Sequence, residues 1–164
     1  MTPDIDTRTA ETARVLGSLP GGPELLDWFG GRPEFGDGEI LGLDLNRRGA
    51  SLRLATMVSE KGRYGGPPFK HAVIRFDFKA GDMIDVSLDG FSHQNVIGGL
   101  WLRFADASPV DASLIGVGLG QGVIEFEIEP CFGAFGRLRA SVDRITITPV
   151  EDYQKADEPS SMSA

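Results

Sequence analysis

The chain has 164 residues, 41% of them apolar and ten of them Phe, enough for one domain with its own core and no need of disulfides or metal to fold. Its 24 acidic and 16 basic residues leave a net charge of −8, which works against nucleic acid and anionic membrane as partners and favours a basic protein. No run approaches the ~18 apolar residues of a membrane span, and the polar N-terminus lacks a secretory pattern. The lone cysteine, Cys131, excludes an internal disulfide, fits a reducing cytoplasm and is expected to be a packed, inert thiol.

In chain order, residues 1–7 are expected to fray. Ala10, Ala13, Leu16 and Leu19 then recur at helical spacing. Gly21-Gly22 breaks that helix, and "PELLDWFGG" opens a second, with Pro23 in its first turn and Gly30-Gly31 ending it. After Pro33 the period becomes two. "EILGLDLN" and "ASLRLATMV", joined by "NRRG", predict a hairpin. "HAVIRFDFKAGDMIDVSLDGF" predicts a second hairpin turning at "KAGD", with Ile74, Phe76 and Phe78 on one face and Ile84, Val86 and Leu88 sharing it. "NVIGGLWLRF" is a strand with a bulge or bend at Gly98-Gly99. "ADASPVDASLIGVGLGQG" is loop-rich; its glycines lack the ending of a phosphate loop. "VIEFEIE" and "RLRASVDRITITPV" are the last strands, the second bent at Asp143. Residues 151–164 have the composition of a disordered tail beyond a 1–150 domain.

The expected fold is therefore α+β and β-rich: a mainly antiparallel, curved sheet of about seven or eight strands with two short N-terminal helices, a β-sandwich or barrel being the alternative. One register can be argued. Pairing Ile128 with Leu138 sets Phe126 against Ala140 and Ile124 against Val142 on one face, and Glu129 against Arg137 and Glu127 against Arg139 on the other. Apolar then meets apolar and charge meets opposite charge, while a one-residue slip would bury charges.

Two polar clusters adjoin strands: "RPEFGDGEI", with Asp37 and Glu39, and "GFSHQNVIGG", with His93, Gln94 and Asn95. Asp37 and Glu39 share a side of an extended segment and would form a metal or acid–base site if His71 or His93 joined them. The plainer reading is that Asp-Gly pairs make turns and that amides satisfy loop backbone. A recognition role for His93, Gln94 and Asn95 ranks second, catalysis third. No metal motif or nucleophile elbow is present, so no cofactor, metal or catalytic set is expected. Trp28, Phe29 and Phe35 bracket a Gly/Pro bend and are expected to pack a helix onto the sheet; an exposed Trp28 would instead make a binding anchor.

Together these stretches resemble the bacterial polymorphic-toxin family known as immunity protein 50. In that family a Trp precedes Pro-x-Phe-His-Asp-x-Glu and an apolar residue, met here by Trp28, Pro33, Phe35, Asp37, Glu39 and Ile40. A second signature, an aromatic followed by Gln-Asn and an apolar pair, is met by Phe91, Gln94, Asn95, Val96 and Ile97. The family His is replaced by Gly36. The resemblance runs from Leu25 to Val150 and implies a non-enzymatic immunity protein whose partner is a cognate toxin. Trp28, Phe35, Asp37, Glu39, His93, Gln94 and Asn95 are the candidate partner-binding or family-motif residues. A small-ligand module, with Gly98-Gly99 admitting a ligand to the backbone, and a metal- or carboxylate-dependent enzyme are the alternatives. Monomer and homodimer are both compatible with the sequence.

Overall fold

The computed structural model describes residues 4–62, 65–79, 84–105 and 122–151. The expected "KAGD" turn, the glycine-rich loop and the C-terminal tail lie essentially outside those residues. Two helices, α1 (Ile5–Gly17) and α2 (Gly22–Trp28), precede seven described strands. These are β1 (Glu39–Asn46), β2 (Gly49–Ser59), β3 (Phe69–Phe78), β4 (Asp85–Asp89), β5 (Val96–Phe104), β6 (Val123–Phe132) and β7 (Phe135–Val150). Every described pairing is antiparallel, in the order β3-β2-β1-β5-β6-β7-β4, with β3 also paired to β7. That extra pairing bends the sheet into a ring, but β1 and β5 meet only at Glu39↔Val96, so it is a curved α+β sheet and not a regular barrel.

The strand alternation explains the core. Leu52, Leu54, Ile74, Phe76, Leu102, Ile124, Phe126, Leu138 and Ala140 are buried in one cluster. Phe126 meets Phe76 and Phe78 edge-on at 5.2 and 5.8 Å between centroids, so rings from non-adjacent strands fill the interior of the curve.

The helices occupy what the ring leaves open. Beyond Val96, the edge of β5 that faces away from β6 has no described strand partner. There α1 lies, and the Thr12 hydroxyl accepts the Leu102 backbone N–H at 3.1 Å while donating to the Arg8 carbonyl. This is why its buried face is Thr9, Thr12, Val15 and Leu16 rather than the expected Ala10, Ala13, Leu16 and Leu19; Ala10 is exposed. The helix also starts earlier than expected, because Asp4 caps it by accepting the Thr7 N–H at 2.7 Å. Over the outer face Arg8 reaches Glu127 and Glu129, at 2.6 and 2.5 Å, with its guanidinium 4.4 Å above the Trp101 ring. The α1–α2 turn is laid on β7, where the Ile145 N–H donates to the Pro20 carbonyl. A Cβ at Gly21 would fall 1.8 Å from the Ile145 carbonyl oxygen, and its φ of +83° also favours glycine.

Two expectations are corrected. β3 and β4 do not form a hairpin with each other. Both pair with the same edge of β7, β4 along Phe135–Arg139 and β3 along Val142–Val150. The expected bend at Asp143 falls where that edge changes partner: Phe78 opposes Val142 and Asp77 opposes Arg144, leaving Asp143 bulged out. The β6–β7 register is two residues away from the expected one. Phe126 opposes Leu138, Ile124 opposes Ala140, Glu127 opposes Arg137 and Glu125 opposes Arg139. A shift of two preserves both faces, so apolar pairs and charge pairs survive it.

Candidate functional site

The two polar clusters meet. The Asp37 N–H donates to the Ile97 carbonyl, Ile97 N–H to the Gly38 carbonyl and Ile40 N–H to the Asn95 carbonyl, each at 2.9 Å. This short zipper is the seam between β1 and β5. Asp37 stands at its head with a φ of +65°, a left-handed conformation that Asp tolerates better than most residues. Gly38 must be glycine, because a Cβ would lie 2.7 Å from the Ala55 carbonyl oxygen.

Asn95 ties this seam to the β6–β7 turn. Its Oδ1 accepts the Ser92 N–H at 3.0 Å and the buried Ala134 N–H at 3.1 Å, and its Nδ2 donates to the Ser92 carbonyl. Ser92 in turn donates its hydroxyl to the Gln94 carbonyl at 2.7 Å. Asn95 is therefore a staple between two loops. Phe35 is also structural: it is buried, and its ring meets Phe29 edge-on at 5.1 Å. Trp28 is half-buried, as packing of helix on sheet requires; the Lys70 ammonium of β3 lies 4.6 Å from its ring and donates to its carbonyl.

Asp37, Glu39, His93 and Gln94 are different. Among the described residues their side chains make no hydrogen bond, and Asp37, His93 and Gln94 are exposed. Asp37 stands where two surface grooves meet. One, of about 370 Å³, runs past Gly36, Gly98, Gly99 and Trp101; the other, of about 490 Å³, runs past Phe29, Val58 and Phe69. Neither is lined by His93 or Asn95. Gly98 and Gly99 are accounted for by the sheet itself, since a Cβ would meet the Pro130 carbonyl oxygen at 3.1 Å and the Trp101 indole nitrogen at 3.0 Å. The expected irregularity there is present as register shifts against β6. Among the described residues no three His, Cys, Asp or Glu side chains converge as a metal site would need.

Compared with known proteins, the chain matches no family model, no curated protein and no solved structure. Among the described residues no helix is long and apolar enough to cross a membrane.

Sequence reasoning missed the aromatic corner beside the staple. The β6–β7 turn and the 90–95 loop together expose Phe91 (51%), Phe132 (51%) and Phe135 (43%). His93 meets the Phe132 ring edge-on at 6.1 Å. Cys131, expected to be packed, is exposed at this end of β6. The signal was the pair of Phe flanking Gly-Ala in "EPCFGAF": beyond the last β6–β7 pair, Ile128↔Gly136, aromatic side chains have little core to enter. Also missed was an ion cluster on the outer face. Glu125, only 2% exposed, accepts from Arg103 at 2.5 Å and Arg139 at 2.9 Å. Burial acts to raise the Glu125 pKa, but the two guanidiniums outweigh it and hold the carboxyl below its ordinary value.

Proposed function

We propose that this protein is a non-enzymatic immunity protein that binds and neutralises a cognate bacterial toxin in the cytoplasm. The observation that carries this reading is how the two motif segments are used. Their backbones, with Asn95 and Phe35, are committed to the fold, while the side chains of Asp37, His93 and Gln94 are exposed and make no hydrogen bond among the described residues. Polar groups carried on a tied backbone favour recognition of another surface, because little loop ordering remains to be done on binding. The filled interior points the same way, to work done on the outside. The motif resemblance supplies the class of partner. The net charge of −8 suits a basic toxin and would speed its capture.

The test is co-expression with the protein encoded beside it, followed by calorimetric titration of the purified pair. Rescue of growth with tight one-to-one binding is expected; the strongest inhibitory pairs reach about 10⁻¹³ M or below. Toxicity without rescue, together with no binding at micromolar protein, would refute the reading.

A further inference from the structure

The exposed aromatic corner has three features that the fold does not require. About half of each Phe residue faces water, so the three together expose roughly 300 Å² on two loops that are bonded to each other. The corner is also fixed. Asn95 bonds the 90–95 loop to the turn, and Phe135 lies so close over Gly90 that a Cβ there would be 2.8 Å from its ring. Finally, acidic side chains of β4 flank it. Residues 84–102 contain Asp85 and Asp89 but no Lys or Arg; the nearest cations on β7 are Arg137, opposite Ser87, and Arg139, opposite Asp85. Glu129 is bonded to Arg8, whereas Asp85 and Asp89 are exposed on β4, with Asp89 directly opposite Phe135.

We infer that Phe91, Phe132 and Phe135 form the docking face for the toxin, and that the toxin meets it with an apolar cleft rimmed by Lys or Arg. This inference rests on the immunity reading above. Rigid aromatics bury large area at small entropic cost and make the usual centres of tight interfaces, while flanking charges set the rate of encounter. A second copy of this chain is the poorer occupant, because two chains each of charge −8 repel.

The experiment compares the wild-type full chain with Phe91→Ala, Phe132→Ala, the double variant Asp85→Asn/Asp89→Asn, and Asp44→Asn as a remote surface control. Each is checked for an unchanged melting temperature. Binding to the protein encoded beside it, inactivated for purification, is measured by surface plasmon resonance at several salt concentrations, and oligomeric state by sedimentation. We expect each Phe variant to weaken binding at least tenfold, mainly through faster dissociation. We expect the double Asn variant to slow association several-fold and flatten its salt dependence, and Asp44→Asn to change neither. Wild-type rescue and tight binding with both Phe variants unaffected would overturn the docking face and leave the immunity reading standing. A wild-type dimer made monomeric by Phe132→Ala, with toxin binding intact, would reassign the corner to self-association. Failure of the wild type itself to rescue or bind would remove the immunity reading, and this inference with it.

Discussion

Replacing Asn95 by Ala separates a staple from a contact residue. The side chain satisfies three backbone groups: the N–H and carbonyl of Ser92 and the N–H of Ala134. Ser92 is exposed, so water can take over its two groups at small cost. Ala134 is fully buried, and its N–H would be left without an acceptor. An orphaned buried donor costs about 1–3 kcal/mol, and adding the exposed bonds puts the total near 2–3 kcal/mol. For a domain of this size each kcal/mol lowers the melting temperature by roughly 2–4 °C, so a fall of about 4–12 °C is expected. Asn95→Asp keeps the acceptor for both N–H groups but turns a carboxylate oxygen toward the exposed Ser92 carbonyl, which water can separate from it, so it should fall by less. The assay is urea unfolding followed by circular dichroism, with the slope compared to exclude a changed denatured state. A loss under about 0.5 kcal/mol for Asn95→Ala would refute the staple. If stability held while partner binding failed, Asn95 would be a contact residue instead.

Three further outcomes follow from other parts of the structure. Thr12→Val keeps the shape of the side chain but leaves the Leu102 N–H without its acceptor, and should cost about 1–3 kcal/mol, while Thr12→Ser should retain most of the stability; amide exchange at Leu102 reports the bond directly. Gly133→Ala should destabilise by more than about 1 kcal/mol, because φ is +95° and the new Cβ would lie 2.6 Å from the Asn95 Oδ1; thermal melts read it. The depressed folded-state pKa of Glu125 means its stabilisation is complete above the ordinary carboxylate value of about 4.3 and is lost as pH falls through the folded value. Glu125→Gln should therefore cost stability at pH 7 and flatten the acid limb of the stability profile. The cost should fall short of the ~3–5 kcal/mol of a fully buried pair, since Arg103 is half exposed; an acid limb unchanged by the substitution would refute the assignment.

Strand identity was legible wherever side chains alternate, because burial on one face writes period two directly into the residues. "EILGLDLN" matches β1 residue for residue, and Ile124, Phe126 and Ile128 point inward as expected. Partner choice was not legible in the same way. "DVSLD" reads as the return strand of β3, but nothing in alternation says which edge a strand takes, and β7 is long enough to offer one edge to both. The two-residue register error has the same origin: any even shift keeps the faces, and only the turn length decides among them. At the site, the sequence put Asp37, Glu39 and Gln94-Asn95 at strand entrances but could not divide them by role. An amide that caps a buried N–H, as Asn95 does, and one that faces water, as Gln94 does, are the same residue class until the fold supplies or withholds a partner. The covering of the β5 edge by a threonine hydroxyl left no periodic trace at all.

That covering has a consequence for the order in which the chain is put together. The acceptor on Thr12 and its donor on Leu102 are 90 residues apart, and Arg8 is 121 residues from Glu129. At about 5–20 residues per second, translation delivers Leu102 roughly 5–20 s after Thr12, and Glu129 later still. A 13-residue helix is marginal alone in water, so α1 spends that interval without its hydrogen bonds to the sheet or its salt bridges. The first helix is thus held back until strands far along the chain have emerged. Until it docks, the growing molecule presents an unprotected strand edge, and a chaperone or a neighbouring chain would meet it there first.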